Sequence, residues 1–191
     1  MVGQKSSIWS AIVDIIETVV VAAAIFVVVY LFLLQPHQVK GASMEPNFHD
    51  GEYILTDKIS YRFGDPKRGD VIVFKSPTNQ DVDFIKRIIA LPGEKIEIKN
   101  RNIVIYNSEN PSGFILPESY EVKDPISGGS YLREGKVVEV PSDNYIVFGD
   151  NRTHSFDSRE WGPLPKNSII GKAWVRYWPI RKFSFVGSVV Y

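Results

Sequence analysis

The sequence predicts a mainly β domain, of barrel or sandwich type, behind one N-terminal transmembrane helix. Three observations carry this. Residues 18–34 (TVVVAAAIFVVVYLFLL) are uncharged and almost wholly apolar. From Pro36 onward the chain breaks into short β-like runs separated by turn residues. No long amphipathic helical pattern follows the apolar run, and many short strands with Gly/Pro turns make a sandwich or a barrel.

As a helix, the apolar run spans ~26 Å. A membrane span needs ~20 residues for a ~30 Å hydrocarbon core. Extension back to Ile12 supplies the length and brings Asp14 and Glu17 to headgroup level. The run is long for the core of a cleaved signal peptide, and no small-residue cleavage site follows it. Gln35-Pro36-His37-Gln38 breaks the helix instead. The expected organisation is a tail over 1–11, an anchor over 12–35 and a β-rich domain over 36–191. Lys5 and the terminal amine are the only positive charges ahead of the anchor, and two acids lie close by. The positive-inside rule therefore leaves the orientation open.

Within the β-rich part, residues 51–56, 70–75, 82–89, 95–99, 102–106, 136–140, 144–148 and 169–178 read as strands. Segments 95–99 and 102–106 alternate and are joined by Asn100-Arg101, which predicts a hairpin. Residues 107–130 are rich in Ser, Pro, Gly and Asn and read as an insertion with an irregular path. The aromatic run Trp174, Tyr177, Trp178, Phe183 and Phe185 suits either a core or a belt near lipid headgroups.

Composition removes several function classes. Lys+Arg and Asp+Glu are both 22, so the net charge is zero and no nucleic-acid partner is expected. Cysteine is absent, which excludes disulfides, cysteine nucleophiles and thiolate metal sites. The three histidines, His37, His49 and His154, fit neither a Ser-His-Asp setting nor a zinc-ligand spacing, so no metal site is expected.

One residue stands out on chemical grounds. If 82–89 is extended, Val82, Phe84, Lys86 and Ile88 share a face and Arg87 points the other way. Lys86 then sits among apolar neighbours, where burial disfavours the ammonium and lowers its pKa. A lysine brought from ~10.4 towards ~7–8 serves as a general base at neutral pH. The bland alternative is a stem that covers apolar surface while its amine reaches water. Ser43 lies a few residues beyond the anchor, preceded by the small residues Gly41 and Ala42, which permit close backbone approach.

Three segments together resemble one known family. Gly41-Ala42-Ser43-Met44-Glu45-Pro46 resembles the nucleophile box of the type I signal peptidases, membrane-anchored Ser-Lys endopeptidases. Residues 84–94 (FIKRIIALPGE) resemble its lysine box, and 149–159 (GDNRTHSFDSR) its third box. Their order, their spacing and the preceding anchor also match, as does the closing stretch from Ile170 to Pro179.

The resemblance implies the signal-peptidase type of β fold, with Ser43 as nucleophile, Lys86 as general base and Ser155 as the hydroxyl that orients the amine. It implies structural ion pairs between Asp150 and Arg87 and between Asp157 and Arg159. Met44, Val39, Phe84 and Ile85 are expected around the pocket for the small side chain before the cut. No cofactor is implied. The implied partners are signal-peptide-bearing preproteins and a lipid membrane, with a single-pass protein whose catalytic domain is extracytoplasmic. Two departures stand out. Gly41 occupies a place where some branches carry an oxyanion-hole serine, and Asn47-Phe48 follows Pro46 where Thr and Leu are common. A dedicated Ser-Lys processing peptidase and a non-catalytic, membrane-tethered binding module are the competing readings.

Overall fold

The computed structural model describes residues 4–118, 122 and 125–189. Helix α1 covers Gln4–Val28. It begins well before Ile12, because nothing in the expected tail breaks a helix. Its stretch Ile8–Val28 is long and apolar enough to cross a membrane, and none of it is buried against the rest of the molecule. A π-helical turn, Val29–Leu33, ends it.

Twelve strands follow among the described residues. β1 is Leu34–Gln38 and β2 Tyr53–Asp57. After the four-residue helix α2 (Ser60–Phe63) come β3 (Val71–Lys75), β4 (Asp83–Ala90), β5 (Lys95–Lys99), β6 (Asn102–Tyr106), β7 (Phe114–Ile115), β8 (Val138–Glu139) and β9 (Asn144–Phe148). Helix α3 (Ser158–Trp161), β10 (Leu164–Pro165), β11 (Ile169–Trp178) and β12 (Ser184–Phe185) complete the chain.

The strands form two antiparallel sheets. One has eight strands in the order β1-β2-β11-β3-β4-β9-β10, with β12 added on β11. The other has four, in the order β7-β6-β5-β8. The β5–β6 hairpin turns at Asn100 and Arg101, whose φ angles of 50° and 62° are the left-handed pair that a two-residue turn requires. Its alternation buries Ile96, Ile98, Ile103 and Ile105, which join Ile89, Ile146 and Phe148 in one core.

Two expectations change, and one that the sequence left open is narrowed. Residues 34–38 form a strand, although Pro36 and the polar residues around it do not read as one. β1 lies at the edge of the large sheet, where a missing N–H is tolerated. The 107–130 segment is not wholly irregular: β7 pairs with β6, and Leu116 and Ile126 enter the core. Residues 119–121, 123 and 124 of that segment lie outside the described residues, as do 190–191 at the end of the β-rich part. The aromatic run is not core. Trp178, Phe183 and Phe185 are 50%, 58% and 68% exposed, with Ile180 beside them.

β1 and β4 are four neighbours apart along the large sheet, yet residues of both meet across one cleft. The sheet therefore curls on itself. Strand β4 pairs with β3 from Asp83 to Arg87 and with β9 only from Arg87 to Ala90. Its first half, Asp83 to Lys86, thus keeps a free edge on the β9 side.

Candidate active site

Ser43 sits in the turn-rich segment between β1 and β2. Two backbone bonds close the base of this loop, Val39 N–H to Glu52 C=O at 2.8 Å and Gly51 N–H to Val39 C=O at 2.9 Å. Gly41 takes φ +80°, a conformation that strains any residue with a Cβ, and its N–H donates to Asp50 Oδ1 at 2.7 Å. That position is glycine for a backbone reason. The Ser43 N–H, like those of Lys40, Ala42 and Met44, makes no hydrogen bond among the described residues.

The loop is clamped from the far end of the chain. Asn151 donates its N–H to Ser43 C=O at 3.1 Å and its side-chain amide to Ala42 C=O at 3.0 Å. Asn47 donates to Asp150 Oδ2 at 3.0 Å, and Arg176 donates to Asn47 C=O at 2.9 Å. Phe48 packs with Val39, Met44 and Ile54 in a core beneath the loop. The Asn47-Phe48 departure thus supplies one polar tie and one apolar plug.

Lys86 reaches this loop from the middle of β4. Its Nζ lies 2.8 Å from Ser43 Oγ and 2.9 Å from the Ile85 carbonyl oxygen, in hydrogen-bond contact with both. The residue is 4% exposed, and burial lowers its pKa to about 8 against the pull of Asp157 and Asp150. The strand-face argument needs one amendment, since Arg87 is also only 4% exposed. β4 runs between core clusters on both faces. Arg87 is tolerated there because its guanidinium is bidentate to Asp150, at 2.9 and 2.7 Å, and donates to Gly69 C=O at 3.0 Å. Lys86 and Arg87 are therefore opposite cases: a buried cation with its carboxylate in contact, and a buried amine with none.

The third box wraps behind the pair. Asp157 is bidentate to Arg159, both bonds at 2.8 Å, and accepts the Gly149 N–H at 3.0 Å. Ser155 makes no hydrogen bond through its buried Oγ. The acceptor that orients the Lys86 amine here is the Ile85 carbonyl. Ser155 is nevertheless close to the Ser43 loop: a Cβ on Gly149 would clash with both Ser155 Oγ and Ser43 C=O. Only glycine allows both to crowd that position.

Ser43 and Lys86 stand in a cleft of about 460 Å³ between β1, with the loop after it, and the free edge of β4. Val39, Phe84 and Ile85 line it, with Ile54 and Val73 beyond them. Met44 does not; it is fully buried in the core under the floor. His37 and Asp83 also line the cleft, as do His154 and Phe156. Sequence reasoning passed over Asn47, Asn151, His37 and Asp83. The first two lie inside or beside quoted motifs, and that was their only signal.

Comparison with known proteins places the chain in a family. The family described as "Signal peptidase, peptidase S26" matches residues 12–178. A probable signal peptidase I-2 of Synechocystis is 35% identical over 86% of this chain and 72% of its own length. Signal peptidase IB of Staphylococcus aureus strain MRSA252 is 31% identical over 90% of this chain and 94% of its own. A crystal structure of a signal peptidase I from Enterococcus faecalis V583 is 29% identical, with a TM-score of 0.47 over 57% of this chain and 97% of that one. With a family match spanning both the serine and the lysine, and relatives aligned along most of their length, this chain belongs to the signal peptidase, peptidase S26 family.

Proposed function

We propose that the chain is a membrane-anchored serine endopeptidase that removes N-terminal signal peptides from exported preproteins, cutting after small residues in an Ala-x-Ala pattern. The observation that carries the reading is the contact of 2.8 Å between Lys86 Nζ and Ser43 Oγ, made by an amine that burial holds at a pKa of about 8. In its neutral form the amine accepts the Ser43 proton as the hydroxyl attacks the scissile carbonyl. The tetrahedral oxyanion is received by the free Ser43 N–H. Collapse expels the mature protein's amine, which takes from Lys86 the proton that came from Ser43, and leaves an acyl-enzyme; water then hydrolyses it with the neutral Lys86 again as base. Once protonated, the amine has a third N–H to place, and the buried Ser155 hydroxyl is the acceptor we assign to it.

Substrate binds extended in the cleft, and the free edge of β4 offers it backbone partners. Val39, Phe84 and Ile85 wall the pocket for the small side chain before the cut. No cofactor takes part. Helix α1 anchors the protein in the bilayer that its preprotein substrates cross, which raises their effective concentration. The exposed aromatic patch of β11 and β12 fits the headgroup region of the same membrane. The catalytic domain lies on the extracytoplasmic side.

The test uses the full chain in detergent with a preprotein carrying an Ala-x-Ala site. Cleavage after the second Ala by wild type, and by neither Ser43→Ala nor Lys86→Ala, is expected. Failure of folded wild type to cut would sink the reading. Protection of the domain from protease added to spheroplasts would overturn the sidedness.

A further inference from the structure

Besides Ser43 and Lys86, the cleft lining carries a second polar pair. His37 of β1 faces Asp83 of β4, with Nε2 3.3 Å from Oδ2. Both residues line the cleft, among Val39, Ile54, Val73 and Ile85. Each is held from behind. His37 Nδ1 is 2.9 Å from the hydroxyl of Thr56, a fully buried residue, and Lys75 Nζ is 2.7 Å from Asp83 Oδ1. The ring is thus fixed through one nitrogen, while the other is buried and faces the Asp83 carboxylate. A hydroxyl that joins such a pair gives both groups a partner, whereas an apolar group there leaves them only each other. Burial also keeps the ring's pKa below its usual value, against the pull of Asp83.

The strand repeat says which substrate residue meets this pair. Asp83 and Ile85 lie on one face of β4, two residues or ~6.7 Å apart. Side chains at the first and third positions before the cut repeat at the same distance along an extended substrate. If the first rests against Ile85, the third falls between His37 and Asp83.

We propose that His37 and Asp83 form the wall of the subsite for the third residue before the cut, and that they select a side-chain hydroxyl there. A Ser or Thr hydroxyl at that point donates to Asp83 and accepts from His37 Nε2. An aliphatic side chain of the same size separates the two polar groups and pairs with neither. The inference rests on the signal-peptide reading above, and it assigns to this chain a preference for Ser and Thr over Val.

Thr and Val are nearly isosteric, so they isolate the hydroxyl. Three preproteins differing only at the third position before the cut, with Ala, Thr or Val, are given to the full chain in detergent, and kcat/KM is measured for each. Wild type is expected to favour Thr over Val by about tenfold or more. His37→Phe keeps the ring volume and removes both nitrogens, and is expected to bring that ratio to about one or below. Asp83→Asn, a change without loss of volume, is expected to lower the ratio as well. Thermal unfolding checks that each variant is folded, and the wild-type ratio stands independently of either. Wild type that cuts the Ala substrate but treats Thr and Val alike within about twofold overturns the inference and leaves the peptidase reading intact. A wild-type ratio unchanged in folded His37→Phe does the same. Wild type that cuts none of the three overturns both.

Discussion

A buried amine without a contacting carboxylate should cost the protein stability, and Lys86→Met measures that cost. Burial takes the Lys86 pKa from 10.5 to about 8. At ~1.4 kcal/mol per unit, the difference is worth about 3 kcal/mol between the folded and unfolded chains. The sign follows from proton counting. Below pH 8 both states hold the proton, and the folded state bears the whole penalty. Between about 8 and 10.5 the unfolded chain keeps its proton while the folded one has released it, so stability rises with pH. Above 10.5 both are neutral and the penalty is gone. Methionine matches the stem and carries no charge, so the variant should gain at neutral pH. Losing the amine's contacts with Ser43 Oγ and Ile85 C=O subtracts about 1 kcal/mol for each bond. The net gain at pH 7 is therefore about 1 kcal/mol, small enough that the pH dependence is the firmer readout. Denaturant unfolding of the full chain in detergent, followed by tryptophan fluorescence at several pH values, gives the difference between variant and wild type. It should fall by ~1.4 kcal/mol per pH unit between about 8 and 10.5 and be flat below. A difference that stays constant across that range would refute the reasoning, because it would mean that the lysine titrates alike in both states.

Three further predictions concern activity. The rate of wild type, as kcat/KM, should rise about tenfold per pH unit up to a midpoint near 8 and level off above, since only neutral Lys86 accepts the serine proton; a flat profile from pH 6 to 9 would contradict the lysine's role. Asn151→Ala removes the amide bond to Ala42 C=O while sparing the backbone bond to Ser43 C=O. It should lower kcat by about tenfold with KM little changed, as loosening of the nucleophile does; steady-state kinetics on a preprotein decide it. Ser155→Ala breaks no hydrogen bond that the structure records, so its melting temperature should move by no more than about 2 °C while kcat/KM falls by about tenfold or more. A joint loss of both would make Ser155 a scaffold residue instead.

How legible the protein was in its sequence depends on whether a feature has a local period. Strands 95–99, 102–106, 144–148 and 169–178 stand where apolar runs and turn residues put them, because their apolar residues pack into cores, on both faces in 144–148. β1 was not legible. It holds a proline and three polar residues in five, and it is a strand because β2 offers it a register, not because its own residues prefer one. Lys86 was legible from its apolar company on the strand face. Arg87 as a buried residue was not, since its burial depends on a carboxylate 63 residues away. The clamps at Asn47 and Asn151 escape for the same reason: a hydrogen bond across more than a hundred residues leaves no mark on the neighbouring sequence. His37 and Asp83 looked like ordinary polar residues until the curl of the sheet set them face to face.

The same long-range construction governs when the enzyme first becomes active. Ser43 and Lys86 are 43 residues apart in the chain, and the asparagine that holds the nucleophile loop comes 109 residues after Ala42. Such contacts form only after the intervening chain has closed into its sheet, and non-local closure is slow. During synthesis the serine therefore emerges beside a membrane crowded with apolar segments long before its base and its clamp exist. On the proposed mechanism, a nascent chain cannot cut its own anchor or a neighbour's before these contacts form. Competence arrives as one event, when the third box docks on the loop.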